Sequence, residues 1–146
     1  MAYSSDEDLL KEISQADLAR LTGDTTGQVV DTDRTDYARE NADAMIDAYL
    51  CGRYNVPFTG EIDPIIKKVS IDLTIANLYD FAYSKATVPS TITWRKINAV
   101  KMLKDIRSGD VALVKIGVGN GTPPAIISNK KTLKRYNRKG YFNKNI

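Results

Sequence analysis

The sequence predicts a mainly α fold: a small helical bundle of three longer helices, with short N-terminal helices before them and an extended C-terminal arm after them. Three observations carry this. Apolar residues recur at spacings of three and four along three long stretches. Helix-starting and helix-stopping residues bracket those stretches. Beyond residue 110 the periodicity ends, and the chain turns Gly/Pro-rich and then basic. At 146 residues the chain is the size of one domain and long enough to bury a single core.

Ser5, with Asp8 three residues later, resembles a capping box and starts a first short helix with Leu9, Leu10 and Ile13 as its apolar side. Ser14 and Asp17 repeat the signal. This second helix has Leu18 and Leu21 as apolar residues and Gly23 just past its end. Residues 25–32 read as a loop. A long helix follows over residues 33–51, with Ala38, Ala42, Met45, Ile46, Tyr49 and Leu50 on one face. Arg39 and Asp43 fall on the other face as a weak surface pair, and Gly52 is placed to stop the helix.

Residues 53–62 connect, with Pro57 and Gly60 as breakers. Asp63-Pro64 is a cap followed by proline at the first helical position. The helix it opens extends to about residue 84. Ile65, Ile66, Val69, Leu73, Ala76 and Leu78 or Tyr79 give it a broad apolar face, the pattern of a central helix. The last helix covers residues 91–107. Its stripe is Ile92 or Trp94, Ile97, Val100, Leu103 and Ile106, and Lys101, Lys104 and Arg107 sit where the helix dipole favours cations. Ser108-Gly109 ends it.

This divides the chain into a helical domain, residues 1–110, and a basic arm, residues 111–146. Within the arm, Val111-Ala112-Leu113-Val114 and residues 125–127 have the composition of short β strands, separated by the Gly/Pro-rich stretch 117–124. Such an arm has little to bury in its own domain and is expected to become ordered on a partner.

The net charge of +3 hides an asymmetry. Residues 1–110 hold all 18 acidic residues and 13 basic ones, a net −5, whereas residues 111–146 hold eight basic residues and no acidic one. An acidic body with a basic arm implies that the arm meets something negative. The chain has no histidine, which removes His-based triads, most zinc sites and the usual general acid–base residue. No activated nucleophile or metal-ligand cluster stands out, so no catalytic residue, metal or cofactor is assigned. Cys51 is the single cysteine, and it is expected as a small buried hydrophobe. The acidic N-terminus lacks an apolar signal region, and no apolar run approaches the roughly 18 residues of a membrane span. The protein is expected to be made in a cytoplasm and to stay there until assembled, away from membranes.

Several local patterns invite a site and lose it on inspection. Asp31, Asp33 and Asp36 resemble the start of a calcium loop, but Asp36 stands where the glycine belongs and no glutamate closes the pattern. Carboxylates at the positive end of a helix are the better reading. Gly117, Gly119 and Gly121 lack the Gly-Lys-Ser/Thr of a phosphate loop. Asp43 and Asp47 avoid the apolar stripe and read as solvated surface, while Asp72 and Asp80 lie on a more apolar helix, where a buried aspartate is a structural acceptor. In the arm, Lys130, Lys131, Lys134, Arg135, Arg138 and Lys139 interleave with Tyr136, Tyr141 and Phe142. Three readings stay open for these nine residues. They contact phosphates with the rings stacking on bases, they dock on an acidic protein surface such as a neighbouring subunit, or they form a solvated tail.

The run Ala42-Asp43-Ala44-Met45-Ile46-Asp47-Ala48-Tyr49-Leu50-Cys51-Gly52-Arg53-Tyr54-Asn55-Val56-Pro57-Phe58 resembles the helix-then-Gly-Arg-Tyr-x-x-Pro signature of a phage family first named from a Mu-like prophage protein of unknown function. That family looks related to the head–tail connector, head-completion or adaptor proteins of long-tailed phages. Three more stretches are similar in order: Tyr3-Ser4-Ser5-Asp6-Glu7-Asp8-Leu9-Leu10, Pro64 through Asp80, and Trp94 through Val111. The resemblance covers about residues 1–115 and does not extend to the tail beyond Lys115.

What it implies is a helical bundle assembling into a ring, commonly of twelve subunits, between the portal and a tail-side connector or tail-terminator protein in the virion. Genomic DNA would pass through the channel without sequence-specific binding. Arg53, Tyr54 and Pro57 would fix a loop that packs as a rigid elbow or contacts a partner. The competing reading is a small nucleic-acid-binding protein that grips DNA or RNA through its basic tail, although no helix-turn-helix pattern stands out.

Overall fold

Short polar residues set the helix starts in the computed structural model, which describes residues 2–83 and 88–114. Helix α1 (Asp6–Leu10) starts at Ser5, whose hydroxyl accepts from the Asp8 backbone N–H while the Asp8 side chain returns to the Ser5 backbone N–H, completing the capping box. Helix α2 (Gln15–Thr22) starts at Ser14, whose hydroxyl accepts from the Asp17 backbone N–H, and ends on Gly23, whose φ of 113° is the left-handed closing conformation. Asp31 caps α3 (Thr32–Leu50) by accepting from Arg34 N–H, so the carboxylates there do begin a helix. Asp63 caps α4 (Pro64–Ala82), with Pro64 in the first turn. Helix α5 (Ser90–Ser108) closes on Gly109 at φ 94°.

The chain is mainly helical, and the described residues contain no strand. The strand expected at residues 111–114 is instead irregular chain laid on the bundle. Leu113 is buried in the core, and the Val114 N–H donates to Asp63 Oδ2 at 2.8 Å, so this backbone is satisfied without a sheet partner. The second expected strand, residues 125–127, lies outside the described residues.

Helix α4 packs against each of the other four helices, as its broad apolar face implies. It runs antiparallel to α3 and to α5. The main core brings Ala42, Ile46 and Leu50 of α3 against Ile66, Val69 and Leu73 of α4 and Ala99, Leu103 and Ile106 of α5. Two smaller clusters seat α2 on Ala38 and Leu78, and α1 on Ile71 and Ile75. Among the described residues no helix is long and apolar enough to cross a membrane.

Five expectations need correction. Arg39 and Asp43 are not a surface pair: both are buried, and they bind different partners. Arg39 pairs with Asp36 of its own helix and with Asp6 of α1. Asp43 turns inward to the N-terminal segment, and Asp47 beside it is half-buried rather than solvated. Cys51 is exposed, because α3 ends at Leu50 and residue 51 rolls past the buried face. Gly52 has no special backbone role there; Cys51 is the right-handed cap. Ile97 and Trp94 leave the α5 stripe, being 50% and 62% exposed, since Ala99, Leu103 and Ile106 set a buried face roughly opposite to them at 100° per residue.

A buried polar network ties the N-terminus into the bundle. The Tyr3 N–H donates to Asp43 Oδ2 at 2.9 Å, and the Ser70 hydroxyl to Asp43 Oδ1 at 2.7 Å. The Ser4 and Ser70 hydroxyls lie 3.0 Å apart. The Tyr3 hydroxyl donates to Asp47 and accepts from the Phe58 backbone N–H at 2.9 Å. Burial pushes the Asp43 carboxyl up, and burial with the neighbouring Asp47 pushes the Tyr3 phenol up. A surface loop is ordered by one acid as well: Asp24 accepts from the Thr26 hydroxyl and from the N–H groups of Val29, Thr26 and Gln28, which together hold its carboxyl well below the usual range.

Two measurements test this account. Tyr3→Phe keeps the ring but leaves the buried Phe58 N–H without an acceptor, so unfolding free energy should fall by about 1–3 kcal/mol, read from urea melts. Asp8 is held well below its ordinary 3.8 first by the Lys11 ammonium, with Ser5 and Lys67 adding to it. The unfolded chain therefore takes up this proton first as pH falls. The contribution is present above about pH 4 and lost below it. In urea melts between pH 5 and pH 2, Asp8→Asn should give a shallower acid decline than the parent.

Candidate assembly surfaces

The loop carrying Arg53, Tyr54 and Pro57 starts where α3 stops. Backbone N–H groups of Arg53 and Tyr54 still donate to the Leu50 carbonyl, so the first turn of the loop is an extension of the helix. Tyr54 turns its ring into the core beside Phe58, with ring centroids 6.1 Å apart. The Arg53 guanidinium lies 5.9 Å from the Tyr54 ring centroid and against Gly109, where an added Cβ would come within 2.5 Å of Arg53 Nη1. A cation thereby sits at the negative end of α5. Pro57 follows a cis peptide and is exposed. The structure thus brings Arg53 and Tyr54 together over the end of α5 and places Pro57 on a different surface.

That surface is a groove along α3. Asp36, Glu40, Asp43 and Asp47 line it together with Arg39, between Ala2 and Pro57. One cation among four acids makes it negative. Three of its carboxylates are engaged in holding the fold: Asp43 accepts from Tyr3 and Ser70, Asp47 from the Tyr3 hydroxyl, and Asp36 from Arg39. Asp72 is likewise a structural acceptor, bound by Lys68 and Arg95, and Asp80 pairs with Lys96. What such an arrangement offers a ligand is charge and shape.

The outward side of α5 is the chemical opposite. Trp94 and Ile97 stand one turn apart on it, followed by exposed Lys101 and Lys104. Periodicity missed this face because Trp94 and Ile97 were drawn into the apolar stripe. The signal that would have found it is Ala99, which shares the buried side only with residues four and seven further on. An exposed aromatic pair, Tyr37 and Phe81, stacks with centroids 5.7 Å apart at the α3–α4 seam. The nine arm residues, Lys130, Lys131, Lys134, Arg135, Tyr136, Arg138, Lys139, Tyr141 and Phe142, lie outside the described residues.

No curated protein matches the sequence. A family model described as Bacteriophage Mu, Gp36 matches residues 3–125, which takes in all five helices, the elbow and the start of the arm. With most of its length matched, the chain belongs to the Bacteriophage Mu Gp36 family.

Proposed function

We propose that this phage protein is a non-enzymatic structural subunit of a head–tail connector, or adaptor, ring. In this reading, copies of the chain, twelve as the resemblance implies, close around the DNA exit channel. They join the portal to a tail-side connector or tail-terminator protein in the virion. The observation that supports it is membership of a phage family across the whole helical body. The physical properties agree with the role. A ring repeats one heterologous contact until it closes, which needs a rigid subunit with two different faces. An acidic body lets DNA slide, whereas a basic wall would hold it through counterion release. The basic arm, residues 111–146, then reaches an acidic surface on the portal or on a neighbour.

The alternative is a small nucleic-acid-binding protein. Its support is the arm's eight cations without a single acid.

Native mass of the purified protein, alone and with the portal of the same phage, separates the two. The connector reading expects a ring on the portal, lost when residues 130–144 are deleted, with little DNA binding to lose. A protein that stays monomeric with the portal, yet binds DNA with a steep salt dependence that vanishes on the same deletion, would overturn it.

A further inference from the structure

Helices α3 and α5 both turn their apolar residues to the same core, so their solvent faces diverge to different sides of the subunit. Both run antiparallel to α4 and hence parallel to each other. On the outward side of α5 the order from the N-terminal end is Trp94, Ile97, Lys101, Lys104. All four are exposed, and among the described residues no carboxylate pairs with either lysine. On the outward side of α3 the exposed Tyr37, stacked on Phe81, is flanked by exposed Asp33 and Glu40. The acidic groove continues from Glu40 toward the C-terminal end of α3.

The two faces are complementary in kind and in order. Each has an aromatic element near the same end of the bundle, since Tyr37 and Trp94 both lie near the N-terminal ends of parallel helices. Each then carries charge toward the other end, negative on α3 and positive on α5. Neither face complements itself in charge: α5 against α5 brings two positive patches together, and α3 against α3 two negative ones.

We infer that the outward face of α5, built on Trp94, Ile97, Lys101 and Lys104, docks on the α3 face of a second copy of this chain, around Tyr37, Phe81 and Glu40. The occupant is a second copy because the chain supplies both halves of the match. Exposed aromatics beside each other's charges form the apolar centre, and the Lys/Glu pairs form the rim that fixes orientation. The contact is head-to-tail, with both copies pointing the same way. This rests on the ring reading above and names the contact that closes the ring.

The test is charge reversal with compensation, read as the native mass of the species formed on the portal, with circular dichroism as the folding control. Lys101→Glu with Lys104→Glu should lower self-association by roughly tenfold or more, as should Asp33→Lys with Glu40→Lys. Mixing the two reversed proteins should restore growth in alternating order, because the reversed α5 face of one matches the reversed α3 face of the other and their two unaltered faces match each other. Carrying both reversals in one chain should restore rings. If the parent forms rings and the α5 reversal leaves them unchanged, this contact is wrong while the ring reading stands. Loss with the α5 reversal alone, unaffected by the α3 reversal, also overturns it, because the α5 partner is then something other than the α3 face. If the parent itself never associates, with or without the portal, both fall together.

Discussion

Asp43 sits on the inner side of α3 with its carboxyl almost out of water, a position that destabilises the fold unless its oxygens are hydrogen-bonded. Its two donors come from distant parts of the chain, the Ser70 hydroxyl of α4 and the backbone N–H of Tyr3. Satisfying this one acid therefore pins the N-terminal segment into the seam between two long helices. Tyr3, once held there, spans from Asp47 to the backbone of Phe58 and so fixes the loop beyond Tyr54. The cap of α1 is only two residues further on. That helix consequently docks with Asp6 beside Arg39 and Asp8 beside Lys67. The groove, the elbow and the first helix all follow from where Asp43 finds its partners.

How much of this was legible in sequence depends on whether the signal is local. The caps at Ser5, Ser14 and Asp63 act within one turn, and they were readable as patterns. The closing glycines Gly23 and Gly109 were readable for the same reason. The face of α3 was readable because Ala38, Ala42, Ile46 and Leu50 keep a strict spacing, and all four are fully buried. The roles of Arg39 and Asp43 were not. Periodicity assigns faces by hydrophobicity, so a polar residue on a buried flank is sorted to solvent. Its burial depends on Tyr3 and Asp6, some 40 and 33 residues away. Of the candidate site, Arg53 and Tyr54 were readable as a cluster in the loop. Their meeting with Gly109 is a tertiary contact that no spacing encodes.

Charge is the other thread through the molecule. Within the body, acids cluster on α1 and α3, and cations on the outward side of α5. The ion pairs that close the bundle, Arg95 and Lys96 of α5 with Asp72 and Asp80 of α4, and Arg95 and Lys68 with Glu12 in the turn between α1 and α2, tie α5, α4 and the N-terminal segment together. These pairs fix how α5 sits on α4. Such half-exposed pairs contribute only modestly each to stability, but they are directional. They hold Trp94 and Lys101 on the outside by holding Arg95 and Lys96 on the inside, one residue from Trp94 and one turn before Ala99.

That rotational setting places the two unlike patches on which the inferred contact between copies rests. A two-fold contact places one patch against itself, like charge near like charge, so the inferred contact is instead one between unlike patches. A contact between unlike patches leaves one of each free on every pair, so growth continues until rotation closes it or a filament forms. Because the two helices that carry the patches run parallel, with their aromatic residues toward the same end, matching them needs rotation about an axis along the helices and little translation along it. Rotation without rise is the condition for a ring rather than a helix, and the inferred α5-to-α3 contact meets it only because its two patches ride on parallel helices with their aromatic residues toward the same end.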